Sequence, residues 1–244
     1  MQLLDLFTEK ENELTLHEIS ERANIPKSTA YRLLMTLESG GMLEKRIESK
    51  HDAKYRLGLK LLELGELVAS RLELRNIALP FMQTLAEQIN EAIHLVIVNQ
   101  NKATYIEKVD SDRALRLNTR IGKSTPLYIG SGPKLLLAYL PKEKQDQILA
   151  GPFETLADGR VVTQEQLAQE LNEIRQNGYA FSIGEQDLDT TGISYPIYNY
   201  EGKVIASLAI SGLSSYYEGE NFEKIKKKSQ EAAQNISKQL GFRG

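Results

Sequence analysis

The chain has 244 residues, 41% hydrophobic and 26% charged, enough for two domains and for real apolar cores. It has no cysteine, which excludes disulfide frameworks, thiolate zinc sites and cysteine nucleophiles and fits a reducing cytoplasm. The net charge of −3 hides an asymmetry: residues 1–21 carry six acids and one base, whereas residues 22–60 carry nine bases against four acids, the local excess that phosphate binding needs.

In chain order, Thr15-Leu16-His17-Glu18 reads as a capping box, and Leu16, Ile19 and Ala23 then recur at helical spacing, which predicts a short helix over 16–23. Asn24-Ile25-Pro26 breaks it, with Pro26 suited to the first turn of a second helix. That helix has an apolar stripe of Ala30, Leu33, Leu34 and Leu37 and ends at Gly40-Gly41. Its opposite face carries Ser28, Arg32 and Met35, flanked by Thr29, Tyr31 and Thr36, with Lys27 at its start. Hydroxyls and an Arg at the N-terminal end of an exposed helix can reach base edges in a major groove. These two helices alone fit a helix-turn-helix or an ordinary helical hairpin.

The next segment favours the first. Leu43, Lys45 and Ile47 alternate, residues 48–53 are polar, and Tyr55 and Leu57 alternate again, a hairpin that would form a wing. Lys45, Arg46, Lys50, Lys54 and Arg56 lie on its sides and tip, placed for backbone phosphates of double-stranded DNA. Residues 1–58 are therefore expected to form a winged helix-turn-helix domain. The Leu-rich stretch 59–75 reads as a linker helix that buries two faces, one against a second subunit or both inside one monomer. The apolar runs are short and interrupted, so neither a membrane-spanning helix nor a signal peptide is expected.

Residues 76–244 alternate strands and helices: strands over 93–98 and 104–109, helices over 134–140 and 164–176, strands over 179–183, 193–198 and 203–210, and a closing helix over 222–240. Strands grouped at both ends imply an α+β domain with a largely antiparallel sheet. The loop Gly130-Ser131-Gly132 leads into a helix whose free N–H groups and dipole favour a carboxylate or phosphate. Ser182, Ser194 and Ser211, on or beside strands, would add uncharged donors and acceptors.

The segment from Pro26 to Leu34 resembles the recognition helix of the IclR family of bacterial transcriptional regulators. Ile121-Gly122 to Pro126-Leu127 with Gly132-Pro133-Lys134 resembles that family's mid-domain motif, and Gly178, Ser182, Glu185, Ile193, Ser194, Ile197, Tyr198 and Asn199 its C-terminal signature. The resemblance implies a GAF-like effector domain, a palindromic operator, and homodimers or homotetramers. It maps Ser182, Gly192 and the strand residues Ala209 and Ser211 onto effector-contacting positions. Gly192 stands where members often carry Cys, Ser or Ala, Asp189 where Gly is common, and Pro133 where Gly is common. The arm that many members place before the first helix is not expected here. Ile93-His94-Leu95, Tyr105-Ile106 and Arg120-Ile121-Gly122 resemble most the regulators of sugar-acid breakdown, including those responding to 2-keto-3-deoxygluconate.

The three histidines, His17, His51 and His94, fall in different elements, so no catalytic triad or metal cluster is expected, and no cofactor. Gly130-x-Gly132 lacks the further glycine of a dinucleotide fingerprint. The expected function is a DNA-binding regulator whose operator affinity responds to a small organic acid. The alternative is a winged-helix protein-interaction module with an oligomerising, effector-free second domain.

Overall fold

The capping box forms as expected. Thr15 Oγ1 accepts the Glu18 N–H at 3.3 Å, and the Glu18 carboxylate accepts the Thr15 N–H at 2.7 Å. These bonds start helix α1 (Leu16–Arg22) and hold the Glu18 carboxyl below its usual pKa. Thr15→Ala is expected to cost the N-terminal unit about 1 kcal/mol in chemical denaturation. An unchanged midpoint would show that the cap contributes nothing.

The computed structural model describes residues 3–8, 11–49, 52–70, 73–113 and 119–243. It divides into two compact units, Met1–Leu72 and Glu73–Gly244.

In the first unit, helix α2 (Lys27–Ser39) follows Pro26. Pro26 caps the helix from just outside rather than occupying its first turn, and its carbonyl accepts the Thr29 and Ala30 N–H groups at 3.0 Å. Ala30 and Leu34 are fully buried, but Leu33, expected in the same stripe, is 44% exposed. The covering elements meet a face centred on Ala30 and Leu34, and one residue is a 100° rotation, enough to roll Leu33 to the edge. The wing consists of β2 (Leu43–Ser49) and β3 (Asp52–Leu57). A short strand before α1, β1 (Glu13–Thr15), adds to it in the antiparallel order β1-β3-β2.

Strand register sorts the wing's side chains. Lys45 opposes Tyr55, while Glu44 opposes Arg56 and Arg46 opposes Lys54. Leu43 and Tyr55 are buried with Leu14, Ile19 and Leu34, so Glu44, Arg46, Lys54 and Arg56 share the other face. Gly58 closes the hairpin against the turn after α2: its N–H donates to the Met42 carbonyl at 2.8 Å, and a Cβ there would lie 2.1 Å from the Gly41 oxygen. Helix α3 (Leu59–Ser70) follows, and helix α4 (Glu73–Ile89) comes after it, with residues 71–72 of the expected linker helix lying outside the described residues.

The second unit is built on one antiparallel sheet. Its strands are β4 (Ala92–Asn99), β5 (Lys102–Val109), β6 (Ser124–Pro126), β7 (Ala180–Ile183), β8 (Thr190–Tyr198) and β9 (Val204–Leu213). They run in the order β6-β5-β4-β9-β8-β7. Helix α4 and the closing helix α8 (Gly219–Gln239) pack together on one face. On the other face lie α5 (Ser131–Ala138) and α7 (Gln164–Asn177), with α6 (Lys142–Leu149) against α7. Both faces are covered, so β8 is buried almost throughout.

Helix α5 begins at Ser131, three residues before the expected start, and every residue in it is buried. It approaches the sheet closely because Gly132 lacks a side chain: a Cβ there would lie 3.0 Å from that of Ala209. The strand β6 and helix α6 were not anticipated, being too short or too polar for a periodic apolar signal.

Candidate functional site

Two sets of residues carry the expected chemistry, one in each unit. In the first, Lys27, Ser28, Thr29, Tyr31 and Arg32 are all exposed along the N-terminal half of α2. Lys27 and Arg32 make no ion pair with any described residue. On the wing, Lys45 and Arg46 are exposed on opposite faces and Lys54 is half-buried. Arg56 and Arg46 are already engaged with carboxylates. Arg56 meets Glu44 with Nε at 2.9 Å and Nη2 at 2.6 Å, and Arg46 lies 3.5 Å from Glu13. Lys50 falls outside the described residues.

In the second unit, Gly130, Ser131, Gly132, Ser182, Gly192, Ala209 and Ser211 all border one cavity. Its floor is the sheet face beneath the start of α5, where Ala209 on β9 opposes His94 on β4, and Gly192 on β8 opposes Ser211. One wall is the first turn of α5, and the other is the segment from Glu185 to Thr191. The cavity is tight, with about 40 Å³ admitting the centre of a water molecule. A larger groove of about 550 Å³ runs along β8 and α8, lined by Tyr195, Pro196, Tyr198 and Ala233, and contains none of the residues expected to contact an effector.

Hydrogen bonds hold the small cavity's walls. The Ser131 N–H donates to Ser182 Oγ at 3.0 Å and the Gly130 N–H to the Glu185 carboxylate at 2.7 Å. The same carboxylate accepts from Lys134 Nζ at 2.5 Å, and Lys134 also reaches Glu170 at 2.7 Å. Two of the N–H groups expected to meet a ligand are therefore already bonded within the protein. Gly132 N–H has no acceptor among the described residues, and Pro133 has no N–H, so Gly132 is the open donor of the turn. Ser194 does not border the cavity. It is fully buried and donates to Ser131 Oγ at 2.7 Å, supporting the wall from behind.

Gly192 has a steric reason. A Cβ there would lie 2.7 Å from Ser131 Oγ and 3.1 Å from Ser182 Oγ, so the two hydroxyls fill the space that a side chain would take. The structure adds residues that sequence reasoning missed. Tyr105 hydroxyl pairs with the Gln186 amide, whose Nε2 also donates to the Ile129 carbonyl at 3.1 Å. Burial pushes the Tyr105 phenol above its ordinary pKa. His94 borders the cavity, with Nε2 3.0 Å from Ser211 Oγ. Burial, and secondarily the charge of Lys108, push its pKa down to about 3, so the ring is neutral at physiological pH. The resemblance of Ile93-His94-Leu95 and Tyr105-Ile106 to sugar-acid regulators was the sequence signal for His94 and Tyr105, and Gln186 had none.

Comparison with known proteins resolves the pattern. Residues 1–46 match the IclR helix-turn-helix domain, and residues 66–238 match the C-terminal domain of the bacterial transcriptional regulator IclR. The chain belongs to the IclR family. Among its relatives is the HTH-type transcriptional regulator KipR of Bacillus subtilis, 35% identical over 99% of this chain and 95% of the relative. KdgR of Escherichia coli is 33% identical over 96% of this chain and 88% of its own, in line with the resemblance to sugar-acid regulators. A solved IclR homolog from Microbacterium hydrocarbonoxydans, complexed with 4-hydroxybenzoate, superposes with a TM-score of 0.83 at 28% identity, covering 98% of this chain and 96% of that one. As a family member the chain is a DNA-binding transcriptional regulator with a C-terminal effector domain. Among the described residues no helix is long and apolar enough to cross a membrane.

Proposed function

We propose that this regulator binds a small organic acid in the cavity beneath α5 and that binding changes its affinity for operator DNA. The observation that carries the reading is the convergence on one cavity of seven residues from four separate segments of the chain. The acid's carboxylate would meet the Gly132 N–H at the positive end of α5, with Ser131, Ser182 and Ser211 supplying neutral hydrogen bonds. A cavity this tight favours a compact acid, or a larger one after the Glu185–Thr191 wall shifts. The acid bound by the Microbacterium homolog supports the ligand class, and the sugar-acid resemblance narrows it to hydroxy and keto acids. The relatives are named as transcriptional regulators, which supports binding without catalysis.

On the DNA side, α2 would lie in the major groove with Lys27, Ser28, Thr29, Tyr31 and Arg32 towards the bases. Lys45, Arg46, Lys50, Lys54 and Arg56 would follow the phosphates. Leu59, Leu62 and Leu67 of α3 are more than half exposed, which supports burial against a second copy, hence a homodimer or homotetramer on a palindromic operator in the cytoplasm.

The test is calorimetry with keto and sugar acids on wild type and Ser182→Leu, followed by operator titrations with and without the best binder. Binding by wild type alone, with a shift in operator affinity, is expected. Equal affinity for free and DNA-bound protein, or unchanged binding by Ser182→Leu, would sink the mechanism. For the wing, Lys45→Ala and Arg46→Ala are each expected to weaken specific and random DNA alike and to lower the salt slope by about one unit. Loss confined to the operator would mean that the wing reads bases.

A further inference from the structure

His94 is only 2% exposed, borders the cavity, and has one ring nitrogen occupied and one without a partner. Nε2 meets Ser211 Oγ, while Nδ1 is buried with no hydrogen-bond partner among the described residues. An orphaned buried polar atom is costly, and of those among the described residues His94 Nδ1 belongs to a side chain that lines the cavity. Tyr105 packs edge-on against the ring at 5.6 Å between centroids, and Ser211 anchors its other side, so the imidazole is held in place. His94 lines the cavity, so a ligand held there is the natural source of a partner for Nδ1.

We infer that His94 is a specificity-determining residue of the cavity, its Nδ1 hydrogen-bonding an oxygen that the bound acid carries beside its carboxylate. This rests on the proposed small-acid site. Ala209 ties the two ends together: it packs under Gly132, the open donor for the carboxylate, and it is the cross-strand partner of His94. The Cβ atoms of such partners lie about 5 Å apart, which puts His94 and the start of α5 within reach of one small acid. Because Ser211 can either accept from or donate to Nε2, the neutral ring presents Nδ1 as donor or acceptor, and either a keto or a hydroxyl oxygen satisfies it. A plain alkanoate leaves Nδ1 unpaired and is disfavoured.

The test uses four matched acids, pyruvate, L-lactate, 3-hydroxypropionate and propionate, in calorimetric titrations of the full chain. An asparagine amide falls near the position of Nδ1 and a glutamine amide near that of Nε2, so His94→Asn keeps the proposed contact and His94→Gln keeps only the bond to Ser211. Wild type and His94→Asn are expected to bind at least one oxygenated acid about tenfold more tightly than propionate, a hydrogen bond's worth. In His94→Gln, with a thermal midpoint matching that of His94→Asn, the preference should vanish. With only three histidines in the chain, the imidazole nitrogen resonances of His94 can be followed, and Nδ1 should shift with the oxygenated acid but not with propionate. A preference retained in His94→Gln, or an unmoved Nδ1 resonance in the complex, overturns the role of His94 while leaving the acid site standing. Failure of all four acids to bind wild type overturns the inference together with the compact-acid form of the site.

Discussion

Arg32→Ala is expected to weaken operator binding roughly 5- to 150-fold, the equivalent of about 1–3 kcal/mol for a base-contacting arginine. Arg32 is exposed on α2, turned away from the buried Ala30 and Leu34, and forms no ion pair with a described residue. Its guanidinium is thus free to make bidentate hydrogen bonds to a guanine edge. Removal leaves no core cavity, and alanine favours helix at least as well as arginine, so folding should be unaffected. Fluorescence anisotropy on a selected operator and on random duplex measures both terms. Specific affinity should fall much further than random affinity. Equal affinity of the folded variant and wild type for the operator would remove Arg32 from base reading.

Acidification below about pH 6.5 is expected to destabilise the C-terminal unit, and His94→Asn to flatten that loss. The folded-state pKa of His94 is depressed from 6.5 to about 3, chiefly by burial. Above the unfolded value both states hold a neutral ring, and its contribution to stability is complete and constant. Between about pH 6.5 and about pH 3 the unfolded chain takes up a proton that the folded unit refuses, so stability falls with pH by up to ~1.4 kcal/mol per unit. From pH 6.5 to 4.5 the loss is about 2–3 kcal/mol on that basis. Glu91 works the other way, since burial raises its carboxyl pKa despite Arg113 at 2.9 Å. The difference in slope between wild type and variant therefore isolates His94. Denaturant midpoints across this range check it, and parallel pH profiles would show that the histidine does not resist protonation in the folded unit.

Much of the site was legible because its signals are local. Thr15 and Glu18 are three residues apart, and the cap they predict depends on nothing distant. Ser28, Thr29 and Arg32 follow from the rotation of one helix, and the wing from alternation around a polar turn. The cavity was legible differently: the family resemblance named Ser182, Gly192, Ala209 and Ser211, and the glycine loop named Gly130, Ser131 and Gly132. No local pattern joins them. The misplaced residues share one cause. Leu33 and Ser194 depend on which neighbour covers a face, and neither helical nor strand periodicity contains that.

The sequence by itself determined the capped helix-turn-helix and the basic hairpin, because each is set by spacing along a few consecutive residues, and the antiparallel α+β character of the second unit, because the order of strands and helices along the chain limits how they can pair. Tertiary structure alone decided what each polar group still has to offer. It bonded Gly130 and Ser131 to Glu185 and Ser182 and left the Gly132 N–H open. It paired Arg56 with Glu44 across the wing. It set His94 beside the cavity with a nitrogen unpaired. Hydrogen bonds and ion pairs are consumed by whichever partner arrives in space, and 55 residues separate Gly130 from Glu185, too far for any pattern in the chain to foretell the meeting.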